Sequence, residues 1–201
     1  MIEESYNPLD KKHLAESTAN ALLGRPISPL PPATAFIGAG IYAIYFVGNF
    51  PAYAPIAERN RRERFEAPIY VGSAVPPGAR KGGYGLGESP GKVLYSRLRQ
   101  HANSIRQVEN LNLEDFSCRY LVTEDIWIPL AEALLIERFK PIWNHLIDGF
   151  GIHDPGARRP QERSKWDMVH PGRSFATRLP PNRRKSDQIL ATLVAELRRR
   201  R

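Results

Sequence analysis

Cysteine is almost missing from this chain. The single residue of that type, Cys118, has no partner for an internal disulfide, and no Cys or His cluster has the spacing of a zinc site. Disulfide-stapled and zinc-ribbon folds are thereby excluded, and a reducing compartment, the cytoplasm, is the expected place of work. Long apolar runs are missing too. No stretch of about 18 apolar residues exists, so no membrane-spanning helix is expected. The opening Met-Ile-Glu-Glu-Ser-Tyr-Asn has neither a basic start nor an apolar core, which argues against a secretory leader. Internal repeats and extended low-complexity tracts are also lacking.

What is present describes a globular body with a charged appendage. Hydrophobic residues make up 42% and charged residues 25%, the balance of a chain that folds in water, and 201 residues suffice for one substantial core. The charge is unevenly placed. Residues 1–150 carry 16 basic and 16 acidic residues, whereas residues 151–201 carry 13 basic and 5 acidic, so the whole formal excess of +8 lies in the last quarter. A basic segment beside a neutral body points to a polyanion partner, because each Lys or Arg that meets a phosphate releases condensed counterions.

The pattern divides the chain into an N-terminal helix and connector (1–37), a core (38–146) and a basic extension (147–201). Residues 8–23 read as an amphipathic helix ending at Gly24, and the four prolines between Arg25 and Pro32 exclude regular structure there. Gly40-Ile-Tyr-Ala-Ile-Tyr-Phe-Val47 and Ile69-Tyr-Val-Gly72 are short, β-branched and aromatic, hence buried strands. If they pair, Tyr42 and Tyr70 bring two phenols to one end of a small sheet. Phe116, Cys118, Tyr120 and Val122 alternate, which predicts a third strand. The expected fold is therefore α+β, a small three-stranded, mainly antiparallel sheet flanked by helices, with long loop insertions at 48–67 and 73–89.

Ser89 and Pro90 mark the start of a helix running to about Ile105, on which Arg97 and His101, four apart, share one face. A second helix over residues 126–139 is mostly apolar, so Glu132 within it must face water, a partner or a cation. Pro141 ends that helix and places Asn144 in the turn beyond. The last helix, capped by Ser186, carries an apolar stripe from Ile189 to Leu197 that needs either the core or a second subunit to cover it.

In this order, Gly40-Ile-Tyr42, Tyr70-Val-Gly72, Arg97 with His101, Glu132, and Lys140-Pro-Ile-Trp-Asn144 resemble the GIY-YIG nuclease superfamily over residues 38–146. Val71 replaces the central Ile of the second motif, and Glu137 competes with Glu132. The twelve-residue step from Glu132 to Asn144 matches the family. The resemblance implies phosphodiester hydrolysis. Tyr42 would serve as base or proton relay, with His101 as the alternative, Tyr70 would sit beside the scissile phosphate, and Arg97 would stabilise transition-state charge. Glu132 would hold one divalent ion, Mg2+, and Asn144 would complete the site.

Chain length and the insertions look like the type II restriction branch, most similar to small enzymes cutting CCGCGG. That implies double-stranded DNA as substrate, a homodimer on a GC-rich palindrome, and no small-molecule cofactor. Arg80, Lys81, Arg158, Arg159, Arg163 and Lys165 are the expected DNA contacts. A repair or mobile-element endonuclease, or a non-catalytic DNA-binding protein on the same scaffold, are the competing readings.

Overall fold

A computed structural model describes residues 7, 9–76, 89–152 and 162–200. Its centre is strand β2 (Gly40–Phe46), all seven residues of which are buried. Such complete burial requires cover on both faces of the sheet. Tyr42, Ile44 and Phe46 belong to one core, with helices α2 (Ala54–Asn60) and α3 (Val93–Arg106). Ile41, Ala43 and Tyr45 belong to the other, with α1 (Lys11–Leu23) and α4 (Ile128–Phe139).

The sheet has four strands among the described residues, not the three expected. Their order is β1-β4-β2-β3, with β1 at Ser28–Pro29, β3 at Pro68–Ala74 and β4 at Phe116–Val122, and every neighbouring pair is antiparallel. The unforeseen strand lies in the proline-rich connector. It is two residues long and sits at the sheet edge, where a missing N–H costs no ladder bond. Ser28 and Pro29 pair with Cys118 and Ser117, and the Cys118 thiol donates to the Pro29 carbonyl at 3.3 Å.

The insertion at 48–67 is likewise structured. After a 3-10 turn at Pro51–Tyr53, α2 buries Ile56 and Ala57. The Asn60 side chain closes the excursion: it donates to the carbonyls of Phe46 (3.0 Å) and Ala67 (2.8 Å) and accepts from the Ala67 N–H (2.9 Å). What remains at the surface is the turn Arg61 to Arg64, exposed throughout.

Helix α3 begins at Val93, later than its Ser89-Pro90 signal, and runs to Arg106. The Leu94 N–H, orphaned in the first turn, is satisfied by the Gly38 carbonyl at 3.1 Å, so a backbone contact does the work expected of a side-chain cap. Ser89 Oγ instead accepts from the Gly91 N–H at 3.3 Å. Among the described residues no helix is long and apolar enough to cross a membrane.

The described part of the basic extension folds back onto the core. Its helices α6 (Lys165–Val169) and α7 (Ser186–Arg199), with α5 (Ile142–His145) just ahead of it, line the Tyr42 face of the sheet. Ile189, Leu193 and Leu197 of α7 are buried in that same core, so the stripe is covered by the chain itself. A buried polar chain secures the junction. Trp143 Nε1–H donates to Tyr53 Oη (3.0 Å), which leaves the phenol proton for His170 Nε2 (2.6 Å). His170 Nδ1–H then donates to Asn110 Oδ1 (2.8 Å), and Asn110 Nδ2 donates to the Val169 carbonyl (2.9 Å).

Burial, helped by the nearby Arg173 charge, lowers the His170 pKa from 6.5 to about 3. His170 therefore stays neutral in the folded chain while the unfolded chain takes up its proton below 6.5. Its stabilisation is complete above that pH and is lost progressively as pH falls toward about 3. Denaturant titration should show the unsubstituted chain losing up to about 3 kcal/mol from this source between about pH 6.5 and about pH 4. His170→Gln should lack that increment, and equal slopes for the two proteins would remove His170 from the account.

Candidate active site

The site forms at the free edge of β3, where side chains from both faces of the sheet meet. Tyr42 and Tyr70 approach on one face, with ring centroids 6.2 Å apart. Gly72 makes this possible. A Cβ there would come within 2.4 Å of Tyr42 Oη, so the last residue of the Tyr70-Val-Gly72 motif must lack a side chain for the neighbouring phenol to lie across it.

Helix α3 delivers the next two groups. His101, fully buried, places Nε2 at 2.6 Å from Tyr42 Oη, and its ring lies 5.3 Å from that of Tyr70. One turn earlier, Arg97 stands beside both phenols; its charge and hydrogen bonding pull down pKa values that burial has raised. Burial prevails for each: Tyr42 is held well above the ordinary phenol value, and Tyr70 is raised as well, with Glu132 adding to both shifts. Tyr42 Oη and His101 Nε2 share one hydrogen bond, in which the phenol is the donor when the imidazole carries its proton on Nδ1.

Glu132 arrives from the opposite face, on α4, and accepts from the Ser73 hydroxyl at 2.7 Å through Oε2. It is half-buried. Among the described residues no group of three His, Cys, Asp or Glu could hold a metal ion. Of the side chains gathered here only Glu132 is a carboxylate, a donor unsuited by itself to zinc but compatible with a hard cation that keeps most of its water.

Tyr42, Tyr70, Arg97, His101 and Glu132 therefore converge. Asn144 does something different. It lies in helix α5 instead of a free turn, and its amide grips the unpaired edge of β3: Oδ1 accepts from the Val71 N–H (2.9 Å) while Nδ2 donates to the Val71 carbonyl (2.8 Å). That bidentate clamp holds the strand between Tyr70 and Gly72. Of the expected DNA contacts, Arg80, Lys81, Arg158 and Arg159 lie outside the described residues. The Arg163 guanidinium donates to the carbonyls of Ala176 (2.9 Å), Leu179 (3.1 Å) and Thr177 (3.1 Å), and Lys165 pairs with Asp148 at 3.2 Å.

The family model of the Eco29kI GIY-YIG domain matches residues 34–197. The chain belongs to that restriction endonuclease family. This nuclease is matched through α6 and most of α7, so the family resemblance continues far beyond the five motifs into the basic extension. No curated protein sequence matches it.

Sequence reading missed three participants in this endonuclease. Ser73 is a small polar residue directly after the Gly72 motif, a position that periodicity alone does not mark. Phe150 stacks on the His101 ring at 4.6 Å with an interplanar angle of 19°. The Gly151 carbonyl accepts from Arg97 Nη2 at 3.0 Å. The run from Gly149 signals a turn, but not which groups the turn covers.

Proposed function

We propose that this chain is a Mg2+-dependent type II restriction endonuclease that cuts both strands of a short GC-rich palindrome as a homodimer. The observation that carries the catalytic reading is the 2.6 Å contact between Tyr42 and His101, formed beside Arg97 and within electrostatic reach of Glu132. A buried phenolate is costly, so Tyr42 works as a relay: it passes its proton to His101 Nε2 while accepting one from the attacking water, and never carries a full charge. Tyr70, at the same edge, orients the scissile phosphate. Arg97 offers a planar pair of N–H donors whose fork matches two phosphate oxygens.

Glu132 would hold the cation through the carboxylate oxygen not engaged by Ser73, the remaining ligands being water and phosphate oxygens. When bound, that ion supplies charge neutralisation at the phosphate and its leaving oxygen. The dimer follows from two-fold symmetry, since one site per chain needs a second copy to cut the other strand of a palindrome. Arg80, Lys81, Arg158, Arg159 and Lys165 are the proposed DNA contacts, arginine being the residue that reads guanine O6 and N7. Incubation of the purified chain with undamaged plasmid DNA and Mg2+, followed by sequencing of the fragment ends, tests all of this. Paired cuts at one fixed palindrome are expected. Cleavage confined to damaged or branched DNA would identify a repair enzyme, and binding without cleavage a non-catalytic protein.

A further inference from the structure

We infer that Arg173, locked by Asp167, is a positioning residue for strand cleavage: it holds residues 149–152 as a strap against Tyr70, Arg97 and His101. This inference rests on the nuclease reading of the site. Arg173 and Asp167 are 1% and 5% exposed, and the guanidinium uses all five of its N–H donors. Nε donates to Asp167 Oδ1 (2.7 Å); Nη2 donates to Asp167 Oδ2 (2.8 Å) and the Gly149 carbonyl (2.9 Å); Nη1 donates to the carbonyls of Phe150 (3.1 Å) and Ile152 (3.0 Å). The Trp166 and Phe175 rings flank the cation at 4.5 and 4.8 Å. Ser164 donates its hydroxyl proton to Asp167 Oδ2 at 2.6 Å, completing the carboxylate's partners.

Stability alone is a poor reason for such a pair, because apolar residues of similar size commonly replace buried ion pairs without loss. Three strap carbonyls supply a better one. Residues 149–152 lie outside helix and sheet, and an apolar side chain could not satisfy three carbonyls of which one is buried and two are partly buried. The strap's other side faces the chemistry. Phe150 lies on His101 and packs edge-on against Tyr70 at 5.1 Å, and the Gly151 carbonyl takes a proton donor of Arg97. A Cβ at Gly151 would stand 2.6 Å from Tyr70 Oη and 3.5 Å from Arg97 Nη2, so only glycine lets the backbone approach this closely. Fixing the strap therefore fixes the guanidinium, the imidazole ring and the second phenol together.

Two substitutions in the full chain test the inference. Arg173→Lys keeps the charge but offers three donors from one point, too few for a carboxylate and three carbonyls. Gly151→Ala leaves the Arg173–Asp167 pair intact and pushes the strap away from Tyr70. Single-turnover cleavage of plasmid DNA with Mg2+ is measured per active molecule, the active fraction coming from stoichiometric DNA binding. Both variants should cleave at least about tenfold more slowly while DNA affinity changes less than about threefold. If Arg173→Lys fails to fold, Gly151→Ala decides alone. A merely structural role would lower the thermal midpoint or the active fraction and leave the rate per active molecule unchanged, which overturns the inference. Absence of cleavage by the unsubstituted chain overturns the nuclease reading and this inference with it; cleavage by that chain and equally by both variants overturns this inference alone.

Discussion

Glu132→Ala should leave a folded protein that binds DNA and does not cut it. Alanine suits a helix interior, and Glu132 is half-buried, its Ser73 hydrogen bond being of the kind that costs about 1 kcal/mol to lose, so the chain should still fold. The chemistry should lose far more. Of the side chains that converge on the site, Tyr42, Tyr70, Arg97, His101 and Glu132, only Glu132 offers a carboxylate to a hard cation. Removing the electrostatic stabilisation that a bound cation gives the transition state, about 4 kcal/mol, corresponds to about a thousandfold in rate. DNA affinity measured without cleavage should stay within about threefold, since the basic residues available to meet phosphates are many and Glu132 is not among them. Retention of full Mg2+-dependent cleavage would take Glu132 out of the proposed mechanism.

Tyr42→Phe should slow cleavage by about 10²- to 10⁴-fold, the usual contribution of a positioned proton-transfer group. The ring remains, so the packing against Ile44, Phe46 and Leu98 in its core should survive. The lost hydroxyl deprives buried His101 Nε2 of its partner at an expected stability cost of about 1–3 kcal/mol. The pH profile of the unsubstituted enzyme separates relay from free base. Burial, above all, holds the Tyr42 pKa well above 10, so phenolate is scarce at neutral pH and grows tenfold with each unit of rise. A rate that climbs with unit slope from about pH 7 to about pH 10 would mean that free phenolate is the base. A relay to His101 predicts a profile without that climb.

Tyr42 and Glu132 both act at the edge of β3 in this proposal. Tyr42 and Tyr70 come from adjacent strands, while Glu132 reaches the same edge from the other face of the sheet, beside Ser73. Edge strands expose unpaired backbone groups, which most proteins cover. Here Asn144 covers Val71, so the residue that ends the motif series holds the outer edge of the strand that carries Tyr70 and Gly72.

Local pattern was enough for much of this. Strand alternation put Tyr42 on the face of Ile44 and Phe46, and a four-residue step put Arg97 and His101 on one helix face, because both periodicities follow from backbone geometry within a few residues. The same economy explains the errors. Proline density hid β1, since edge pairing is decided by the strand next door and not by the two residues themselves. The 48–67 excursion looked like loop because the contacts that order it are the backbone groups of Phe46 and Ala67.

By itself, then, the amino-acid order determined most of the element types, the sign and position of the charge, and the six motif residues Tyr42, Tyr70, Arg97, His101, Glu132 and Asn144 with their order along the chain. Only the folded chain decided which of them meet. Tyr42 and His101 are 59 positions apart, Ser73 and Glu132 likewise 59, and Asn144 and Val71 73, so their contacts depend on strand order and on how the helices cross the sheet. Local periodicity carries no record of such pairings. The strap over His101 and its Arg173 anchor belong to the same class, because a buried guanidinium becomes meaningful only when the carbonyls it serves have been brought to it.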